Sequence, residues 1–228
     1  MANGCWPMTD RNISTDSISN SLTIRKMSPN PTSKQLALVQ ALFDAGVSRA
    51  NTMLNYLTEL PIQSRMSPVE ILSSGQLQVK LLSCVGVGRA GAMELAYSGD
   101  FDGVAQLLFP EETATVLVDA IADRQRRQLD LDGIRTQTLS EVGNIFFNGL
   151  MGSIANVTDR GITYMAPKFR EGTVKQLLAA RNRPLESAAI FGQAQFQIQQ
   201  LQASGTIIIF FEVSPLEQFL TSVEQVDR

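Results

Sequence analysis

The segment QTLSEVGNIFFN (residues 137–148) places polar side chains on one face of a predicted helix. Gln137, Glu141, Asn144 and Asn148 follow at spacings of four, three and four residues, which repeat on one side of an α-helix. The opposite side is apolar at helical steps, through Leu139, Val142, Phe146, Leu150, Ile154 and Val157. Asparagine is a poor helix former, so its use in mid-helix indicates a surface that contacts another molecule.

A related stripe occurs ninety-seven residues earlier in altered form. Gln40, Asp44, Val47 and Asn51 have the same spacings, but a valine stands where the second stripe has Asn144. If the two helices occupy equivalent places in a duplicated fold, Val47 should be exposed as Asn144 is.

Other local matches support a duplication of the whole domain. The segment GVAQLLF (103–109) matches GTIIIFF (205–211), and acidic residues follow both. We expect half-repeats at about residues 34–124 and 133–228, each with the order α-β-β-β-α. The halves would share one antiparallel-rich sheet with the long helices on its surface, which is an α/β (α+β) fold.

The predicted elements follow from hydrophobic periodicity and from turn residues. The first half has a long helix at 34–58, strands near 61–66, 76–87, 92–98 and 102–109, and a short helix at 111–123. The second half has a long helix at 133–157, strands near 161–166, 187–200 and 205–213, and a helix at 215–226. The core-facing residues predicted for the first long helix are Leu38, Leu42, Ala45, Leu54 and Leu57.

Composition excludes several classes of function. The 228 residues carry a net charge of −3, which argues against nucleic acid or an anionic membrane as the main partner. The chain has no histidine, so it has no Ser–His or Cys–His catalytic pair and lacks the commonest metal ligand. Two cysteines, Cys5 and Cys84, are too few for a cysteine zinc site and do not resemble the disulfide framework of a secreted domain.

Residues 1–33 are predicted to form a flexible N-terminal extension. They are rich in Ser, Thr and Asn, contain prolines and sustain no hydrophobic period. The N-terminus lacks the apolar segment of a signal peptide, and no apolar run approaches the roughly 20 residues that span a bilayer. We therefore expect a cytoplasmic protein.

The segment GVGRAG (86–91) matches the dinucleotide-binding pattern G-x-G-x-x-G. That fingerprint requires its last glycine to open a helix. Here the glycine precedes AMELAY (92–97), which alternates as a strand does. We interpret the segment as a glycine-rich hairpin connection and reject a cofactor site.

The second stripe resembles a known signature. Glu141-x-x-Asn144, followed after twenty-two residues by Pro167, is similar to the motif Asp/Ser-x3-Glu-x2-Asn-x21–22-Pro of the CheC/CheX/FliY chemotaxis phosphatases. The chain departs from this motif at Gln137, where the family has Asp or Ser.

The resemblance extends over about residues 35–226. SGDFDG (98–103) together with LLFPEE (107–112) is similar to the CheC half-repeat, in which a strand runs into a helix. In the first half, Asp44 and Val47 stand where a second Glu and Asn would be. Because an aliphatic side chain cannot orient water, the resemblance implies that this first site is inactive.

The implied activity is hydrolysis of the aspartyl phosphate of a CheY-type response regulator. Asn144 would orient the attacking water, and Glu141 would pair with an active-site lysine of the regulator. The protein would need no cofactor of its own, because the regulator supplies Mg2+. The absence of histidine is compatible with such a mechanism.

A non-catalytic alternative stays open. The same fold can serve as an adaptor of the chemotaxis system that binds a CheD-type deamidase or the flagellar switch. The loss of the first site and the residue Gln137 favour the adaptor, whereas the retention of Glu141 and Asn144 favours the phosphatase.

Overall fold

The computed structural model describes residues 31–122, 131–156, 161–179 and 188–226. The predicted N-terminal extension lies outside the described residues except for positions 31–33. Within the described ranges, no helix combines the length and the apolar character that crossing a bilayer requires.

The two halves contain the same elements in the same order, α-β-β-α-β-β-α. The first half consists of α1 (Ser33–Thr58), β1 (Ile62–Met66), β2 (Glu70–Ser73), α2 (Ser74–Val85), β3 (Arg89–Gly99), β4 (Asp102–Pro110) and α3 (Glu111–Ile121). The second half consists of α4 (Leu131–Ala155), β5 (Ile162–Tyr164), β6 (Lys168–Thr173), α5 (Val174–Ala179), β7 (Ala188–Ile198), β8 (Ala203–Ser214) and α6 (Leu216–Val226).

The strands form one antiparallel sheet in which the halves are interlocked. Its central order is β7-β8-β4-β3, so the halves meet between β4 and β8. The first half also sends β1 and β2 to pair with β7, and the second half sends β5 and β6 to pair with β3. The predicted duplication around one shared sheet is therefore confirmed.

Helices cover both faces of this sheet. The larger core lies under α1, α3, α4 and α6, and it contains edge-to-face ring pairs such as Phe43 with Phe211 and Phe101 with Phe219, each 5.4 Å between ring centroids. A smaller core lies on the other face under α2 and α5. The long helices α1 and α4 therefore lie on the same face of the sheet.

Residues 76–87, which the sequence analysis assigned to a strand, lie mainly in helix α2. The helix starts with a capping box: the Ser73 hydroxyl accepts from the backbone N–H of Gln76, and the Gln76 side-chain oxygen accepts from the Ser73 N–H. Leu77 and Leu81 are buried at a spacing of four residues, which is a helical spacing. The strand prediction is wrong because the capping box and the four-residue spacing of buried leucines favour a helix over this segment.

The second half has the same device at α5. The Thr173 hydroxyl accepts from the N–H of Gln176, and the Gln176 side chain accepts from the Thr173 N–H. The predicted order α-β-β-β-α thus omitted α2 and α5, together with the short strands β2 and β6.

The glycine-rich segment 86–91 joins a helix to a strand. Gly86 ends α2 with φ of 70°, a conformation that favours glycine, and β3 begins at Arg89. Gly91 lies within β3, where an added Cβ would come within 3.1 Å of the Phe169 ring. The hairpin interpretation is therefore wrong. Gly91 also does not open a helix, as the dinucleotide fingerprint would require.

Helices α1 and α4 approach each other closely at two glycines. A Cβ at Gly149 would collide with the carbonyl oxygen of Gly46, and a Cβ at Gly46 would lie 2.9 Å from the Cα of Leu150. Across the same contact, Arg49 Nη1 donates a hydrogen bond of 3.1 Å to Ser153 Oγ. Because Gly46 and Gly149 have no side chains, the two helix backbones come into contact at this crossing. This contact fixes the position of α4 relative to α1.

Candidate functional site

In its middle turns, helix α4 exposes only the second polar stripe. Between residues 137 and 150, the exposed residues are Gln137, Glu141, Asn144 and Asn148. The core-facing positions predicted for this helix are buried at Leu139, Val142, Phe146, Leu150 and Ile154, while Val157 lies outside the described residues. The stripe is thus the solvent-facing side of a helix that is otherwise packed into the protein.

Ionic contacts hold the beginning of α4 in place. Arg135 Nε lies 2.9 Å from Glu171 Oε1 of β6, and Arg135 Nη2 lies 3.1 Å from Glu111 Oε2 of α3. Arg135 is mostly shielded from solvent, which reduces the screening of both pairs. The helix that carries Glu141 and Asn144 is therefore fixed at its start by α3 and β6, and further along by its crossing with α1.

The side chains of the second stripe have no partner in the part of the chain that the structure describes. No hydrogen bond or ion pair with a described residue involves Gln137, Glu141, Asn144 or Asn148. An exposed amide and an exposed carboxylate are left to interact with solvent or with another molecule. Pro167, the last residue of the family signature, lies in the connection between β5 and β6.

The first stripe is built into the fold instead. Gln40 Nε2 donates to Asp44 Oδ1 at 3.1 Å and to the Ser67 carbonyl oxygen at 3.3 Å, and Gln40 Oε1 accepts from the Val69 N–H at 2.8 Å. These bonds tie α1 to the β1–β2 connection, and Asn51 Oδ1 similarly accepts from Ser64 of β1 at 3.1 Å. The polar residues of the first stripe thus have structural partners.

Val47 is buried, with 2% of its surface exposed, so the prediction that it is exposed like Asn144 is wrong. Helix α1 turns a different side to the core than the sequence analysis assigned. Its buried residues are Val39, Phe43, Gly46, Val47, Ala50 and Leu54. Of the residues predicted to face the core, Leu54 is buried, Leu38 and Leu42 are half-buried, and Ala45 and Leu57 are exposed.

Tertiary packing decides this orientation. Helix α1 has overlapping apolar stripes, and the one that contains the small residues Gly46 and Ala50 lets α4 come close. This stripe therefore faces inward and carries Val47 with it.

Glu141 and Asn144 border a groove with a volume of about 460 Å³. Its other walls come from the end of α1, the end of α3 and the same side of α4. These lining residues are Leu54, Leu57, Thr58, Ile121, Val142 and Ile145. The polar pair thus lies beside a mainly apolar surface, a feature that the sequence analysis missed because the walls come from three separate helices.

The exposed side chains of this site can position other groups. An amide can donate and accept hydrogen bonds to a water molecule, and a carboxylate can pair with a cation. Among the described residues, no group of three or more His, Cys, Asp or Glu side chains is arranged to hold a metal ion. The site can therefore orient a water molecule and dock a cation.

Val47→Asn combined with Asp44→Glu would restore a Glu-x-x-Asn pair on α1, but we expect this double variant to lose stability. An asparagine at the buried position would leave its amide without partners, at a cost of about 2 kcal/mol. Urea unfolding should show a lower midpoint than for Asp44→Glu alone, which serves as the control at an exposed position. Equal midpoints for the two variants would contradict the burial of Val47.

No protein-family model matches the chain, and no curated protein sequence matches it. Solved structures do match. Thermotoga maritima FliY has 13% sequence identity to this chain and a TM-score of 0.65. The match covers 86% of this chain and 97% of the solved FliY chain. A chain of the FliM–SpeE complex from H. pylori has 13% identity and a TM-score of 0.65. That match covers 87% of this chain and 98% of the solved chain. The H. pylori FliM middle domain has 12% identity and a TM-score of 0.62, and the match covers 84% of this chain and 99% of the solved domain. The fold expected from the resemblance is confirmed.

Proposed function

From the CheC-like fold that this chain shares with FliY and the FliM middle domain, we propose that it is a phosphatase of an aspartyl-phosphorylated, CheY-type response regulator. The observation that carries the proposal is the second stripe. Glu141 and Asn144 are exposed on a firmly held helix, and no described residue engages their side chains. Their spacing matches the Glu-x-x-Asn signature of the resemblance.

The reaction breaks the bond between phosphorus and the carboxylate oxygen of the regulator's aspartate. A water oxygen attacks phosphorus from the opposite side, its protons pass to solvent and phosphate, and the aspartate and inorganic phosphate are the products. The amide of Asn144 enters the regulator's site and holds this water in line. Positioning alone gives large rate enhancements, because it removes the entropic cost of bringing the reactants together.

Glu141 acts mainly on the encounter. It lies one turn before Asn144 on the same face of α4 and presents a negative charge to a lysine of the regulator. Complementary charges steer association and fix the register of the two surfaces. The regulator brings the Mg2+ that neutralises the phosphoryl oxygens, so this chain requires no metal of its own.

Among the described residues, the chain carries one such site. The first stripe has a buried valine at its third position, and its Gln40 and Asn51 are used to hold β1 and the β1–β2 connection. One chain therefore serves one regulator at a time.

The direct test is the rate at which a phosphorylated CheY-type regulator from the same organism loses phosphate. Adding catalytic amounts of this chain should raise that rate in proportion to its concentration. The regulator alone gives the spontaneous rate, and omission of Mg2+ tests the part assigned to the regulator. An unchanged rate at saturating concentrations would reject the phosphatase.

The adaptor is the second candidate, and the similarity to FliM favours it. The FliM neighbours were solved in complexes with FliG and with SpeE, so this fold presents surfaces to other proteins in those cases. The binding partner of this chain would then be a flagellar-switch protein or a CheD-type deamidase. Binding of either protein, combined with no effect on phosphate release, would select the adaptor.

Glu141→Lys should weaken the encounter with the regulator. The substitution sets a cation against the regulator's lysine, so we expect KM to rise about tenfold at low salt. The difference from the wild type should shrink as ionic strength increases, because exposed charges are screened. Steady-state kinetics over a salt series measures both effects.

Glu141→Gln is the control for that variant, since it removes the charge with little change in shape. Its KM should lie between those of the wild type and Glu141→Lys. If the three proteins have the same KM at low salt, Glu141 does not face a cation in the complex.

A further inference from the structure

The last turns of α1 carry large apolar side chains in solvent. Met53 is 49% exposed, Tyr56 is 80% exposed and Leu57 is 60% exposed. Their spacings of three and four residues put them on one side of the helix. Burial in the core does not account for this side of α1, and a cluster of exposed apolar groups of this kind is typical of an interaction surface.

This apolar side is continuous with the candidate site. Leu57 lines the same groove as Glu141 and Asn144 and forms its α1 wall. A partner that contacts Asn144 from solvent therefore meets the end of α1 as well. Met53 and Tyr56 do not line the groove but are neighbours of Leu57 on α1. We call Met53, Tyr56, Leu57, Glu141 and Asn144 together the docking face.

The charge of the groove limits what can occupy it. Its lining includes the carboxylate of Glu141 and no Lys or Arg among the described residues. A complementary partner presents apolar side chains with a cation among them. The proposed function places a regulator with an active-site lysine at this position. A second copy of this chain that used the same face would offer Glu141 no cation, because the docking face contains no Lys or Arg.

We propose that the docking face binds the receiver domain of the regulator, with Met53, Tyr56 and Leu57 as apolar anchors that set its affinity and orientation. This inference rests on the proposed function and extends it from α4 to α1. An exposed ion pair contributes little affinity, whereas buried apolar and aromatic anchors contribute most of the affinity in protein interfaces. Anchors on a second helix also fix the angle at which Asn144 enters the regulator.

The experiment compares Leu57→Ser with Val79→Ser. Val79 is 69% exposed on α2, on the other side of the sheet, so both changes remove an exposed apolar side chain and leave the core intact. The probe is a CheY-type receiver domain held in its phosphorylated form by beryllofluoride and Mg2+. For Leu57→Ser we expect Kd and KM to rise about tenfold. Val79→Ser should match the wild type.

The outcomes separate this inference from the proposed function. If the wild type hydrolyses the phosphate and Leu57→Ser has an unchanged Kd and KM, the docking face is wrong and the phosphatase stands. If the wild type binds through Leu57 but does not hydrolyse, the phosphatase is wrong and the docking face stands. Absence of binding by the wild type overturns both. A wild-type dimer that Leu57→Ser converts to a monomer would assign the face to a second copy instead.

Discussion

Asn144→Ala is expected to lower kcat for dephosphorylation of the regulator by about a hundredfold. The variant removes the amide that holds water in line, while the regulator's own Mg2+ and phosphoryl group are unchanged. The Asn144 side chain is exposed and makes no hydrogen bond to a described residue, so truncating it should leave the fold intact. Phosphate release under single-turnover conditions measures the chemical step, and Kd for the beryllofluoride-loaded receiver should stay within about twofold of the wild type.

Asn148→Ala is the matched control. Asn148 lies one turn further along the same exposed stripe and likewise has no described partner, but it is outside the Glu-x-x-Asn pair. Its kcat should stay within about twofold of the wild type. Wild-type turnover by a folded Asn144→Ala protein would remove Asn144 from the mechanism, and equal losses in the two variants would indicate a general effect on the helix.

Gly149→Val should destabilise the protein by more than about 3 kcal/mol. The new side chain would collide with the carbonyl oxygen of Gly46, and backbone on neither helix can yield without moving the helix itself. Urea unfolding followed by circular dichroism gives the loss as a change in midpoint at constant slope. Any folded fraction should show reduced phosphatase activity, because α4 would be displaced.

Gly152→Val provides the comparison for helix propensity. Valine is a somewhat better helix former than glycine, so the intrinsic effect is the same small gain in both variants. A Cβ at Gly152 would meet only Arg49 Nη1 at 3.6 Å, an ordinary contact. Its stability should remain within about 1 kcal/mol of the wild type. If Gly149→Val and Gly152→Val have the same urea midpoint, the approach of α1 and α4 does not depend on the absence of a side chain at Gly149.

The sequence supports a large part of the fold because its strongest periodic segments are also its most regular elements. Helix α4, strands β3, β4, β7 and β8, and the duplication follow from apolar spacing that each segment carries within itself. Helices α2 and α5 are short. The central residues of α2 alternate enough to suggest a strand, and α5 was not predicted as an element. The capping boxes at Ser73 and Thr173 are the local signals that identify them as helices.

The orientation of α1 could not be obtained in this way. Several apolar stripes coexist on that helix, and the choice among them depends on how closely Gly46 and Gly149 let the two long helices approach. That distance is a property of the assembled domain. The same packing buries Val47 and leaves Leu57 exposed. The groove beside Asn144 forms where α1, α3 and α4 meet, so no single segment of sequence indicates it.

The exchange of strands between the halves has a consequence for how the protein is made. Strand β1 pairs with β7, so Ile62 finds its partner at Ile198, which the ribosome adds long after Ile62. Until then the emerging first half carries strand edges without their partners, a condition that slows folding and invites aggregation. The same exchange gives the half that lacks the Glu-x-x-Asn pair a structural role, because its strands β1 and β2 pair with β7 of the other half.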